Sequence, residues 1–145
     1  MWCQVIGRLV LCWCKMVFRS ISVSIIIPVY NDETRIRDSV IRIDQKFSAL
    51  DYSYEVLVVD DGSTDNSRKF VMSLKNPRVK VSGYEVNRGK GYALKMGVLK
   101  AEGDYIVFLD SGNEINIDNL ENYLALLKIS DIVIGSKKHL DSSVS

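Results

Sequence analysis

The sequence predicts an α/β domain built on an open, mostly parallel sheet with helices on both faces. Three observations predict it. Short β-branched runs recur along the chain, amphipathic stretches separate them, and the runs end in acids or glycines. Val23 to Val29, "VSIIIPV", reads as a buried strand that Pro28 ends, because proline cannot donate to a ladder. Glu33 to Leu50 carries Ile36, Val40, Ile43, Phe47 and Leu50 at three- and four-residue steps, the spacing of an amphipathic helix. Glu55 to Val59, "EVLVV", is a second buried strand, stopped by Asp60-Asp61-Gly62. Ser63 or Thr64 is placed to cap a helix from about Asp65 to Leu74, which Asn76-Pro77 breaks. Arg78 to Ser82 alternates and reads as a third strand nearer an edge. Gly89 to Ala101 is a helix with Ala93, Leu94, Val98 and Ala101 inward, and Asp104 to Leu109 is a fourth strand. Ile117 to Ile129 is a helix with Leu120, Leu124 and Leu127 on one face, and Asp131 to Ile134, "DIVI", begins a fifth strand.

A chain of 145 residues suits one domain and can bury a core. It is 47% hydrophobic and 26% charged with net charge +1, which excludes a disordered or fibrous class and gives no global attraction to nucleic acid. The charge is uneven: between Arg68 and Lys100 the basic residues face Glu85 as the one acid. Such a run is either a set of solvated helix faces or the feed of a local anion site. Cys3, Cys12 and Cys14 all lie in the first 14 residues. An odd number confined there argues against a disulfide framework and for a reducing compartment, and C-x-C without a nearby histidine is a poor zinc pattern.

Residues 1–20, beginning "MWCQVIGRLVLCWCKMVF", stand apart as an apolar N-terminal segment, and residues 21–145 form the domain. Arg8 interrupts the segment and makes a spanning helix costly. Arg8 and Lys15 share one helical face, with Trp2, Leu9, Trp13 and Phe18 elsewhere, so the readings are a membrane-associated interfacial helix or an incidental extension. No small-residue cleavage site marks a signal peptide.

In open parallel sheets, ligands bind beyond the carboxyl ends of the strands, where strand order reverses. That rule selects Tyr30-Asn31-Asp32, Asp60-Asp61-Gly62-Ser63, Asp110-Ser111-Gly112 and Gly135-Ser136-Lys137. Each acid has a local alternative: Asp32 as a helix-start charge, Asp60 or Asp61 as a turn cap, Asp110 as a partner of its own loop. Their convergence on one rim points to a site. An ionised Asp61 on a pocket floor accepts hydrogen bonds from a base N–H or from ribose hydroxyls. In "NRGKGYALKMG" the glycines flank Lys90 just before a helix, a setting for phosphate oxygens, although the spacing is neither a P-loop nor G-x-G-x-x-G. Together these suggest a nucleoside diphosphate between a lysine and acids.

The stretches "VSIIIPVYNDETRI", "VLVVDDGSTDNS", "NRGKGYALKMGVLKAEGDYIVFLD" and "DIVIGSK" together resemble the nucleotide-sugar-binding half of family-2 glycosyltransferases with the GT-A fold. Among them, the sequence is most similar to polyprenyl-phosphate sugar transferases such as the dolichyl-phosphate glucosyl- and mannosyltransferases. The resemblance implies that Pro28, Tyr30 and Asp32 line the nucleotide pocket, with Asp32 where the family more often has glutamate. It implies that Asp61 binds the base, that Asp60 shapes the turn, and that Lys90 lies near the base or the diphosphate. Asp110 becomes the first aspartate of the D-x-D element, the catalytic position that meets ribose and a metal-bound diphosphate, with Mg2+ or Mn2+ as the ion. Gly112 stands where the second aspartate belongs, so Asp110 would rely on Asn113 or Glu114 and on substrate phosphates.

The implied reaction moves a sugar from a UDP- or GDP-sugar to an acceptor, at the cytoplasmic face of a membrane or in the cytoplasm. A polyprenyl (dolichyl) phosphate acceptor is already ionised near neutral pH and needs little general-base help. A hydroxyl acceptor needs a base, and none stands out. The acceptor-side half of the family is not recognisable before Ser145, so a truncated half domain is expected. The rival reading is a donor-binding module without catalysis.

Overall fold

The computed structural model describes residues 22–50, 52–112 and 119–135. The apolar segment 1–20, Asn113, Glu114, and Ser136 and Lys137 lie outside them. In chain order the elements are β1 (Ser22–Val29), α1 (Ile36–Ser48), β2 (Ser53–Asp61), α2 (Ser67–Met72), β3 (Val79–Tyr84), α3 (Lys90–Val98), β4 (Tyr105–Phe108) and α4 (Leu120–Leu126). The strands form one sheet in the order β3-β2-β1-β4, and every pairing is parallel. The expected α/β class and the edge position of the third strand are borne out. β1 is central and buried on both sides, as its unbroken β-branched run requires.

Each face of the sheet has its own core. On one, Ile25, Ile27, Val56 and Val58 pack with Ile36, Val40, Ile43 and Phe47 of α1, Val71 of α2, and Leu120 and Leu124 of α4. On the other, α3 lays Ala93 over Ile26, Leu57 and Val59. Gly97 permits that approach, since a Cβ there would collide with Cγ2 of Ile26. α3 stops short of β4, whose Ile106 and Phe108 remain 37% and 50% exposed.

Two boundaries differ from the expectation for physical reasons. Pro28 does not end β1, which continues to Val29 with Pro28 opposite Val59 of β2. What Pro28 ends is the ladder toward β4. Alternate residues of a parallel strand bond to the same neighbour; the carbonyl of Ile26 accepts from the Leu109 N–H at 3.0 Å, and two residues on Pro28 has no N–H to offer. β4 accordingly stops at Phe108, and the loop from Asp110 is free to leave β1. Second, Asp131 to Ile134 forms no strand. A strand exists by its ladder, and among the described residues nothing pairs with this stretch, whose Ile132 and Ile134 are 76% and 83% exposed. The helices are also shorter than their apolar spacing suggested. α2 starts after Asn66 without a side-chain cap from Ser63 or Thr64, because those residues are used elsewhere.

At the amino end of the sheet a partly buried acid holds a turn in place. The Ser24 hydroxyl and the Glu102 N–H donate to Oε1 of Glu55 at 2.6 and 2.9 Å, and Lys80 pairs with Oε2 at 2.8 Å. Burial alone raises the Glu55 pKa, but the hydrogen bonds from Lys80, Ser24 and the Glu102 backbone outweigh it and leave the carboxyl below its ordinary value. A depressed folded-state pKa stabilises the fold above the unfolded value, and that contribution is lost as pH falls through the folded one. Stability measured by urea unfolding should therefore fall more steeply on acidification in the native protein than in Glu55→Gln; parallel profiles would refute the assignment. Gly97→Ala should cost about 1–3 kcal/mol of unfolding free energy, the usual range for overpacking, read in the same titration.

Candidate functional site

The strand order reverses between β1 and β4, and the ladder between them is cut short at Pro28. The opening lies at the carboxyl ends of the strands, the position such sheets reserve for ligands. Tyr30, half exposed, follows β1; Asp60 and Asp61 end β2; Lys90 begins α3; Asp110 follows β4. Pro28 is partly buried within β1.

The four acids of this rim differ sharply in what they do. Asp32 is 6% exposed, and both its oxygens are engaged: Nε of Arg35 donates to Oδ1 at 2.7 Å and the Ser111 hydroxyl donates to Oδ2. Ser39 in turn donates its hydroxyl to the Ser111 carbonyl at 2.5 Å. Asp32 thus ties the loop after β1 to the loop after β4 through the residue next to Asp110. Asp60, 3% exposed, accepts the Ser63 N–H at 3.1 Å and shapes the turn.

Asp61, also 3% exposed, is the hub of a second cluster. The Tyr84 hydroxyl and the Arg88 N–H donate to its Oδ1 at 2.6 and 2.8 Å, and the Asn87 amide donates to Oδ2 at 3.1 Å. The Arg88 guanidinium stacks over Tyr92 at 4.9 Å and donates to its hydroxyl at 3.0 Å, while Tyr84 and Tyr92 meet edge to face. Burial, then the hydrogen bond to Asp61, pushes the Tyr84 hydroxyl far above its usual pKa, so it stays a donor at any physiological pH. Gly62 makes the hub possible: its φ is +74°, and a Cβ would stand 2.7 Å from the Asn87 nitrogen and 2.9 Å from the Glu85 carbonyl oxygen.

Asp110 is the exception. It is 44% exposed, and its partner among the described residues is Lys90, with Nζ 2.6 Å from Oδ1. No donor among the described residues engages Oδ2. A single open carboxylate of this kind suits a hard divalent ion that takes its remaining ligands from substrate phosphates and water. Among the described residues no group of three metal-ligating side chains exists.

The loops beneath these residues are stitched together by side chains of the strand-end segments themselves. Asn31, at φ +48°, accepts the Thr64 N–H at 2.8 Å and donates its own N–H to the Ser63 hydroxyl at 3.0 Å. Glu33 donates its N–H to Asp65 and accepts from the Asn66 N–H, and the Asp32 N–H donates to the Ser67 hydroxyl at 2.9 Å. Applying the carboxyl-end rule to the third strand as well would have selected Tyr84, Asn87 and Arg88.

A parallel sheet with this strand order, carrying acids and a lysine at its switch point, is an α/β domain of the ligand-binding kind, and its solved neighbours make it GT-A-like. The chain belongs to glycosyl transferase family 2, whose pattern matches residues 24–142. It is 32% identical over 138 residues to a dolichyl-phosphate beta-glucosyltransferase of Dictyostelium discoideum, covering 86% of this chain and 42% of that one. Among solved structures it is similar to S. aureus TarS 1-349 in complex with UDP-GlcNAc, with TM-score 0.60 and 32% identity, over 74% of this chain and 31% of that one. It is also similar to the mannosyltransferase PcManGT from Pyrobaculum calidifontis in complex with GDP-Man and Mn2+, with TM-score 0.62 and 26% identity, over 76% and 33%. The chain spans less than half the length of the curated relatives it matches.

Tyr84→Phe removes a hydroxyl from a buried carboxylate. It should cost about 1.5–3 kcal/mol, the worth of a hydrogen bond to a charged group, in urea unfolding at neutral pH. A loss below a few tenths would mean that Asp61 does not depend on Tyr84.

Proposed function

We propose that this chain is the donor-binding part of a glycosyltransferase that passes a sugar from a nucleoside diphosphate sugar to a polyprenyl phosphate. The observation that carries the reading is the Lys90–Asp110 pair at the switch point, exposed where the other rim acids are buried. One structural neighbour is in complex with UDP-GlcNAc and another with GDP-Man and Mn2+, and the curated relative is a dolichyl-phosphate glucosyltransferase. In this reading the nucleoside lies toward Tyr30 and the Asp61 hub. The hub fixes the 85–88 loop as one wall, and of the roughly four lone-pair sites of Asp61 one on Oδ2 is left for a base N–H or a ribose hydroxyl. The diphosphate lies between Lys90 and Asp110. Asp110 would hold the Mg2+ or Mn2+ ion, which when bound neutralises charge developing on the leaving diphosphate. Lys90 adds a second positive charge to that group from the start of α3. The acceptor phosphate is itself the nucleophile and, largely ionised near neutral pH, needs little help from a base.

Gly112 favours a second reading, a module that binds donor without turnover, because it removes the further carboxylate a metal-bound diphosphate would meet. Transfer from UDP-glucose and GDP-mannose to a polyprenyl phosphate, with Mn2+ or Mg2+, separates the two. Turnover that Asp110→Asn lowers at least 10-fold, roughly the loss that even outer partners of a metal ligand cause, supports the enzyme. Donor binding without turnover supports the module, and binding of neither donor sinks both.

No helix among the described residues is long and apolar enough to cross a membrane. The proposed acceptor is a lipid, and the segment 1–20 would bring the domain to the cytoplasmic face of its membrane. Vesicle flotation should weaken when residues 1–20 are deleted; equal flotation removes that role.

A further inference from the structure

Lys90 is part of the donor site proposed above, and its position implies a constraint on how that site fills. Asp32, Asp60 and Asp61 are buried and held by hydrogen-bond donors, whereas Asp110 meets an ammonium at 2.6 Å. That distance is at the short end for a charge-assisted contact. The ammonium sits on one of the oxygens a divalent ion needs. With Gly112 beside it, the pair is neutral as it stands. An ion arriving alone leaves a double positive charge at the pair, and Asp32, the acid tied to the neighbouring Ser111, is already paired with Arg35. A diphosphate arriving with the ion supplies that offset and gives Lys90 another anion to hold.

We infer that Lys90 is a built-in counter-ion that competes with the divalent cation for Asp110, so that the ion enters together with the nucleotide diphosphate rather than ahead of it. Lys90 then serves the empty site by holding Asp110 and the filled site by holding phosphate. The inference rests on reading this rim as a donor site, but the competition itself is tested with metal alone.

The experiment is Mn2+ binding to the full chain without nucleotide, followed by the paramagnetic resonance signal of the free ion. Lys90→Met and Lys90→Gln should bind Mn2+ about 2- to 5-fold more tightly than the native protein, the worth of an exposed ion pair. Lys90→Arg should match the native protein, and Asp110→Asn should weaken binding in the Lys90→Met background. Lys90 is 60% exposed, so circular dichroism of these variants should be unchanged. Equal or weaker Mn2+ binding by both neutral variants overturns the inference, as does tight binding that survives Asp110→Asn. The donor reading is tested separately by UDP-glucose and GDP-mannose binding. If neither donor binds while the Mn2+ pattern holds, the proposed function falls and the competition stands.

Discussion

The N–H that Pro28 lacks is the constraint on which the site depends. β1 is the central strand and the one where the chain reverses its order of addition, with β2 and β3 on one side and β4 on the other. A full ladder between β1 and β4 would carry the Asp110 loop straight along the sheet. With no donor at Pro28 the last bond is that of Leu109 to Ile26, and the two loops part. A parting of this kind leaves backbone groups that must be satisfied another way. Here the loops are rejoined by side chains, through Ser111 to Asp32 and through Ser39 to the Ser111 carbonyl.

That substitution explains why the acids of the rim are not equivalent. A buried carboxylate is tolerated only where donors replace its water. Asp32, Asp60 and Asp61 meet this requirement with Arg35 and Ser111, with Ser63, and with Tyr84, Asn87 and Arg88. Their charge is spent largely on holding loops. The aromatic and guanidinium stack beyond Asp61 extends the same logic outward, because Arg88 is held by Tyr92 as well as by its own N–H. In the proposed donor site, the hydrogen-bonded wall around Asp61 would stand at the base end and the open Asp110 at the phosphate end.

The sheet and its two faces were legible in the sequence because periodicity reports burial directly. The run at Val23 to Val29 and the apolar steps of Ile36, Val40, Ile43 and Phe47 lead to β1 and α1 with little loss. Pro28 was misread because a proline forbids one hydrogen bond, on one side, and the sequence does not say which side. The apolar run from Ile132 to Ile134 reads like a strand yet pairs with nothing among the described residues; pairing is a property of two segments, and one segment cannot display it. Asp110 and Lys90 stood out as chemistry, but their contact joins α3 to β4 across the rim and only topology brings it about. Tyr84, Asn87 and Arg88 look ordinary as residues and become visible only as what Asp61 requires.

The motif around Asp110 can be understood in the same terms. In "DSGN" the middle residue is not a spacer, since its hydroxyl and its carbonyl both serve the tie between the loops. Keeping Ser111 keeps Asp110 in place; having Gly112 removes negative charge from beside it without disturbing that tie. The loss falls on electrostatics rather than on geometry. A site with one open acid and a neighbouring lysine is close to neutral before anything binds, and it gains most from a ligand that brings an anion and a cation together. A nucleoside diphosphate bound to its metal is such a ligand, whereas either component alone leaves its multiple charge unanswered.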